Sequence, residues 1–250
     1  MNKFTATAII LALLLAVWAL LHYSGLIPSI FMPSPLEVAG SLWTHLATMT
    51  GWWSDVFATL GRTLAGFLVG GFIGVVIGLA IGFSKRVYSS LEFFVDFFRS
   101  VPAAALFPLF LLFFGLGDVS KIAITAWVSA LLVMVGASYG VHHSSKLRMM
   151  AARVFRPSKT KIFKDFVMPE AASHIASSLR IALSFSLYTI VFTEMFVGTL
   201  SGLGRRIMDA QLVYQTPDMY AAIILAGILG FLLNQAFLIA ERRSVHWSGR

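Results

Sequence analysis

Residues 59–86 read TLGRTLAGFLVGGFIGVVIGLAIGFSKR, and this stretch decides the fold class. From Thr63 to Phe83 it carries no charged side chain, and Lys85 and Arg86 close it abruptly. A helix rising 1.5 Å per residue needs roughly 20 such residues to cross a hydrocarbon core. Backbone polar groups in lipid must be satisfied within their own segment, so the run is a helix, not a strand. Its glycines Gly66, Gly70, Gly74, Gly78 and Gly82 recur every four residues. On a helix they form one smooth stripe that lets a neighbouring helix approach backbone to backbone. Each glycine costs about 1 kcal/mol of helix propensity, so a close contact is the expected return, within one chain or between two.

Five more apolar runs flank this one: Phe4–Leu21, Val101–Leu116, Ile122–Val141, Ile181–Val197 and Met219–Ala240. The chain is 58% hydrophobic with 22 Phe, and its mean hydropathy is +0.84, outside the range of a soluble domain. The reading is an all-α membrane protein of about six transmembrane helices, one domain over residues 1–250. Residues 22–62 form an external amphipathic segment in which Ser34, Pro35 and Glu37 spell a capped helix start. Trp43, Trp52 and Trp53 in it suit the membrane interface. Pro102 and Pro108 fall inside the short third run and either kink it or open a surface beside it.

Charge sets the orientation. With both termini in the cytoplasm, fifteen of the 19 Lys and Arg lie at the inner side, and Arg62, Lys121, Arg205 and Arg206 lie outside. Topology and anionic headgroups thus account for the net charge of +8, without nucleic acid. No cysteine is present, which excludes disulfides, thiolate metal sites and cysteine nucleophiles. No GxxxxGK[ST], HExxH or GxSxG occurs, so the residues give no phosphate loop and no hydrolase centre. The pair His142–His143 does not share a helix face and reads as a span boundary, not a metal site. The expectation is a chain that is not an enzyme and holds no metal or cofactor.

One acid, Glu194, falls deep in a span, in company with Ser184, Tyr188, Thr189 and Thr193. An intramembrane carboxylate faces a bundle interior or a wet cavity. This set either hydrogen-bonds between helices or lines a solute route. Asn234 and Gln235 read as interhelical hydrogen-bonding groups.

The cytoplasmic segment 142–174 contains MAARVFRPSKTKIFKDFVMPE at 150–170, the most charged stretch of the chain. Ser158 caps a short helix whose Ile162, Phe163, Phe166 and Val167 share a face, and Pro169 ends it. Such a helix rests on headgroups or docks into a protein groove.

The same stretch resembles the EAA loop of bacterial ABC importer permeases. Ala151, Ala152, Ile162 and Pro169 fit that register, while Met150 stands where Glu is usual and Arg156 where Gly is usual. FMPSPLEV at 31–38, FFRSVPAAALFPLFLLFFGLGDVSKIAI at 97–124, TEMFVGTLSGLG at 193–204 and the closing ERR are also similar to this family's nitrate, sulfonate, taurine and bicarbonate branch. The resemblance implies a type I importer fold in the bacterial inner membrane. It also implies a second permease subunit (a homodimer for a single six-span chain), a cytoplasmic ATPase dimer carrying ATP and Mg, and an external solute-binding protein. Ala151, Ala152, Phe155, Ser158, Ile162, Phe163, Phe166 and Pro169 would then couple to the ATPase. The rival classes are an ATPase-independent secondary transporter or channel, an intramembrane enzyme built on Glu194, and a structural membrane protein.

Overall fold

The computed structural model describes residues 2–47, 52–142, 158, 161, 165, 167–196 and 199–244. Among them are nine α-helices and no strand. In chain order these are α1 Lys3–Tyr23, α2 Pro35–Ala47, α3 Trp53–Gly82, α4 Lys85–Ser100, α5 Ala103–Phe114, α6 Asp118–His142, α7 Met168–Glu194, α8 Leu203–Leu212 and α9 Thr216–Ser244. Five of them, α1, α3, α6, α7 and α9, are long and apolar enough to cross a membrane. The chain divides into two compact units, Met1–Ala58 with Glu194–Ile228, and Thr59–Thr193 with Leu229–Arg250.

The second unit is built on the glycine stripe. Gly66, Gly70, Gly74, Gly78 and Gly82 of α3 face α6 of the same chain. A Cβ at Gly74 would lie 2.6 Å from the carbonyl oxygen of Ala130, and one at Gly78 would lie 2.6 Å from that of Met134. At Gly70 it would meet the carbonyl of Ala126. Backbone atoms cannot swing aside, so only glycine permits this approach. The next interface repeats the device with the roles exchanged. On α6, Gly136 leaves room for Ser178 of α7, and a Cβ at Gly140 would come within 3.0 Å of the Ala171 Cα. Between these contacts Phe67, Val133, Ala182 and Leu183 close one core cluster, and Ala137, Val141, Val167, Ala171 and Ile175 another. Ser129 and Ser186 hydrogen-bond each other at 2.7 Å across the α6–α7 contact.

Charge is buried at the rim of this unit. The Arg62 Nε donates to Asp118 Oδ1 at 2.7 Å, and the Lys121 Nζ donates to the Gly117 carbonyl at 2.9 Å. Arg62, one residue before the uncharged run of α3, is thus buried with its charge paired.

The third apolar run becomes something other than a straight span. α5 has 12 residues, about 18 Å of helix against a core of about 30 Å. It meets α4 through a 90° bend at Val101–Pro102. Pro102 removes a backbone donor and holds the preceding residue extended, which breaks the helix there. The two helices make a sixth crossing only if taken together.

In the first unit α1 is exposed along its length, as a lipid-facing helix is. Trp18 ties it down: its indole N–H donates to the Pro33 carbonyl at 2.9 Å, and its ring stacks on Tyr220 at 5.9 Å. α2 opens with a capping box. The Glu37 N–H donates to Ser34 Oγ at 3.2 Å, and the Ser34 N–H donates to Glu37 Oε2 at 2.7 Å. The donated Ser34 backbone N–H, then its hydroxyl, and to a smaller degree nearby His22, hold the Glu37 carboxyl below its ordinary value against a small desolvation effect.

Candidate translocation site

Two arrangements of polar side chains stand out, one in each unit. In the first unit, two buried carboxylates converge on the start of α8. Glu194, 1% exposed, accepts the Gly204 N–H at 3.1 Å. Asp55, 2% exposed, accepts the Gly202 N–H at 2.7 Å and the Arg206 Nε–H at 2.6 Å. The first N–H groups of a helix have no partner within it, and its N-terminus is partially positive. Carboxylates satisfy both conditions at once. Gly202 sits at φ +135°, and a Cβ there would run into the Glu194 carboxyl group. Gly202 of TLSGLG therefore serves the close approach of a side chain to a helix start.

In the second unit an open cleft of about 420 Å³ lies where α4 bends into α5. Phe98, Pro102, Leu106, Trp127, Leu131 and Phe185 make most of its wall, and Arg99, Ser100, Tyr188 and Thr189 supply its polar groups. Arg99 also pairs with Asp96 at 3.3 Å, which leaves the guanidinium half-exposed and part-neutralised. Phe98 meets Trp127 edge to face at 5.6 Å. Such a wall holds an apolar body and offers a few hydrogen-bond donors and one cation.

The polar residues of the fifth apolar run divide accordingly. Tyr188, 66% exposed, and Thr189 border the cleft. Ser184 is exposed one turn earlier and bonds the Arg180 carbonyl at 3.4 Å. Thr193 is buried, donating to the Ile190 carbonyl at 3.0 Å, and Glu194 is engaged with α8. Sequence reasoning missed Arg99, Ser100 and Asp55. The first two follow from the Val101–Pro102 bend. Asp55 gave no local signal, because its partners lie about 150 residues later.

Of the coupling segment, Ala151, Ala152, Phe155, Ile162, Phe163 and Phe166 lie outside the described residues. Ser158 is exposed, and its hydroxyl accepts the Lys161 N–H at 3.3 Å, as a helix cap does. Pro169 stands in the first turn of α7, where a missing N–H has no cost. α7 thus begins inside the segment assigned from the sequence to the cytoplasmic loop, and its Ser178 packs into the gap left by Gly136.

Five helices long and apolar enough to cross a membrane, with glycine contacts between α3 and α6, mark a polytopic membrane protein. Residues 70–245 match the family described as binding-protein-dependent transport system inner membrane component. The chain is 30% identical over 244 residues to the taurine transport system permease protein TauC of Escherichia coli (strain K12), covering 96% of this chain and 88% of that protein. It is 28% identical over 247 residues to the nitrate import permease protein NrtB of Synechocystis sp. (strain ATCC 27184 / PCC 6803 / Kazusa), with 96% and 88% covered. Its fold is similar to that of a chain of the MetNI methionine ABC transporter in an inward-facing conformation. The TM-score is 0.64 at 22% identity, covering 76% of this chain and 96% of that one. The chain belongs to the binding-protein-dependent transport system inner membrane component family, the permease subunits of ABC importers. It is a multi-pass inner-membrane protein whose role is transport, not catalysis.

Proposed function

We propose that two copies of this chain form the solute path of an importer, with an ABC ATPase dimer on the cytoplasmic side and a solute-binding protein on the outer side. ATP and Mg are bound by the ATPase, and both termini of the permease lie in the cytoplasm, in keeping with the inner bias of its Lys and Arg. The near full-length likeness to taurine and nitrate permeases carries this reading. It favours a small sulfonate-, taurine-, nitrate- or bicarbonate-like solute or a small organic compound. The cleft at the α4–α5 bend supports a path past Tyr188 and Thr189, with Arg99 as the cation nearest to a passing anion.

In this reading the helix begun at Ser158 is the coupling helix. Ile162, Phe163 and Phe166 seat in a groove of the ATPase, Ala151, Ala152, Phe155 and Pro169 set the loop around it, and the lysines form the rim. Met150 removes a carboxylate and Arg156 a glycine from the usual loop, so the rim contacts differ while the apolar seat is kept. Closure of the ATPases on ATP moves both seats together and rocks the spans. The test is uptake into proteoliposomes holding the chain, its ATPase and its binding protein. Uptake that requires ATP and all three components supports the reading, whereas uptake by the chain alone on an ion gradient would replace it with a secondary transporter.

A further inference from the structure

A second cavity in the Thr59–Thr193 unit, about 560 Å³, is bounded by α3, α4, α5 and α6. Its lining carries essentially no polar surface: Ile73, Ile77, Phe94, Phe98, Phe114 and Trp127 are typical of its wall. On α3 it runs from Val69 to Ile81, a length of about 18 Å at 1.5 Å per residue. That is close to one leaflet, about half of a 30 Å hydrocarbon core. Val69, Ile73, Ile77, Phe94 and Phe114 are each at least two-fifths exposed, so the groove opens sideways to whatever surrounds the spans. Beyond its Ile81–Leu91 end the chain places Lys85 and Arg86, at the first two positions of α4.

We propose that this groove binds one acyl chain of an anionic phospholipid, with its headgroup at the basic α3–α4 turn. The groove offers no partner to compensate desolvation of a polar solute, which separates it from the cleft that holds Arg99, Tyr188 and Thr189. Water is equally disfavoured in a cavity with no polar lining. A hydrocarbon chain needs only apolar walls and one leaflet of length, and it enters from the membrane without leaving lipid. The two cavities share Phe98, Trp127 and Leu131 as a common wall. A bound chain would therefore touch the wall that also bounds the cleft of Arg99, Tyr188 and Thr189.

The test is photo-crosslinking in nanodiscs of phosphatidylethanolamine and phosphatidylglycerol, doped with phosphatidylglycerol that carries a diazirine on its acyl chain. Labelled peptides are mapped by mass spectrometry on the full-length chain. The expected result is labelling concentrated on Ile73, Ile77 and Phe94, reduced several-fold by Ile77→Trp, which fills the groove. Leu14→Trp on the lipid face of α1 should leave it unchanged. Lys85→Gln with Arg86→Gln should weaken the preference for phosphatidylglycerol over a diazirine phosphatidylethanolamine. Should Ile77→Trp fold poorly, Val69→Trp at the other end of the groove gives the same readout. Labelling spread evenly over all lipid-facing helices would overturn the proposal. So would absence of label from Ile73, Ile77 and Phe94 while α1 is labelled, which would mean that something other than lipid covers the groove.

Discussion

The Asp55 carboxylate lies 2.6 Å from Nε of Arg206 and 2.7 Å from the Gly202 backbone nitrogen, so the first turn of α3 is bound to the first turn of α8. Arg206 is partly exposed while Asp55 is buried. The two substitutions should therefore differ. Asp55→Ala strands a backbone N–H and a guanidinium and should cost about 1–3 kcal/mol. Arg206→Ala leaves the carboxylate still bonded to Gly202 and should cost less. Thermal unfolding of the purified chain in detergent reads the order; equal losses would mean that the ion pair, not the Gly202 bond, carries the contact.

At the same helix start, Gly202→Ala combines an unfavourable φ with a collision against the Glu194 carboxyl group. It should destabilise by about 1–3 kcal/mol, while Glu194→Gln keeps the shape and the acceptor oxygen and should cost less. Proteolysis of the 195–202 connection, compared between the two variants, checks whether α8 has been released.

The glycines of α3 should separate by position. Gly74→Ala puts a methyl group 2.6 Å from the Ala130 carbonyl and should cost about 1–3 kcal/mol through forced separation of α3 and α6. Gly61 has nothing within 4 Å of the added carbon, so Gly61→Ala should stabilise by about 0.4–1 kcal/mol. Melting temperatures of the two variants in one detergent decide this.

How much of this was legible in the sequence depended on distance along the chain. The Ser34–Glu37 capping box was readable because both partners lie within four residues. The glycine stripe declared its face through periodicity, but α6 as its partner is a tertiary fact. In the 101–116 run Pro102 was readable as a break and the shortness of the segment was plain, but the 90° angle that α5 makes with α4 is a tertiary fact. Arg62 and Asp118, or Asp55 and Arg206, gave no local pattern at all, because the partners of each pair lie 56 and 151 residues apart.

The capping box also makes a pH-dependent prediction. Because the folded-state pKa of Glu37 is lowered, its stabilisation is fully present above the ordinary carboxylate value, about 4.3. It is lost as pH falls through the lower folded value. The difference in unfolding temperature between the wild-type chain and Glu37→Gln should be constant from pH 8 to about 5 and shrink below about 4. Ser34→Ala removes the side-chain half of the box and should cost about 1 kcal/mol near neutral pH. A difference that widened in acid would contradict the assigned direction.

In the proposed function an external motor drives this chain through its cytoplasmic segment. The most direct measurement is ATP-driven solute uptake into proteoliposomes assembled from the permease, its ATPase and its binding protein, with and without Phe163→Asp. Phe163→Asp should abolish uptake and ATPase co-purification, while Glu37→Gln in the same preparation should leave both in place. Uptake and co-purification unchanged by Phe163→Asp would contradict it.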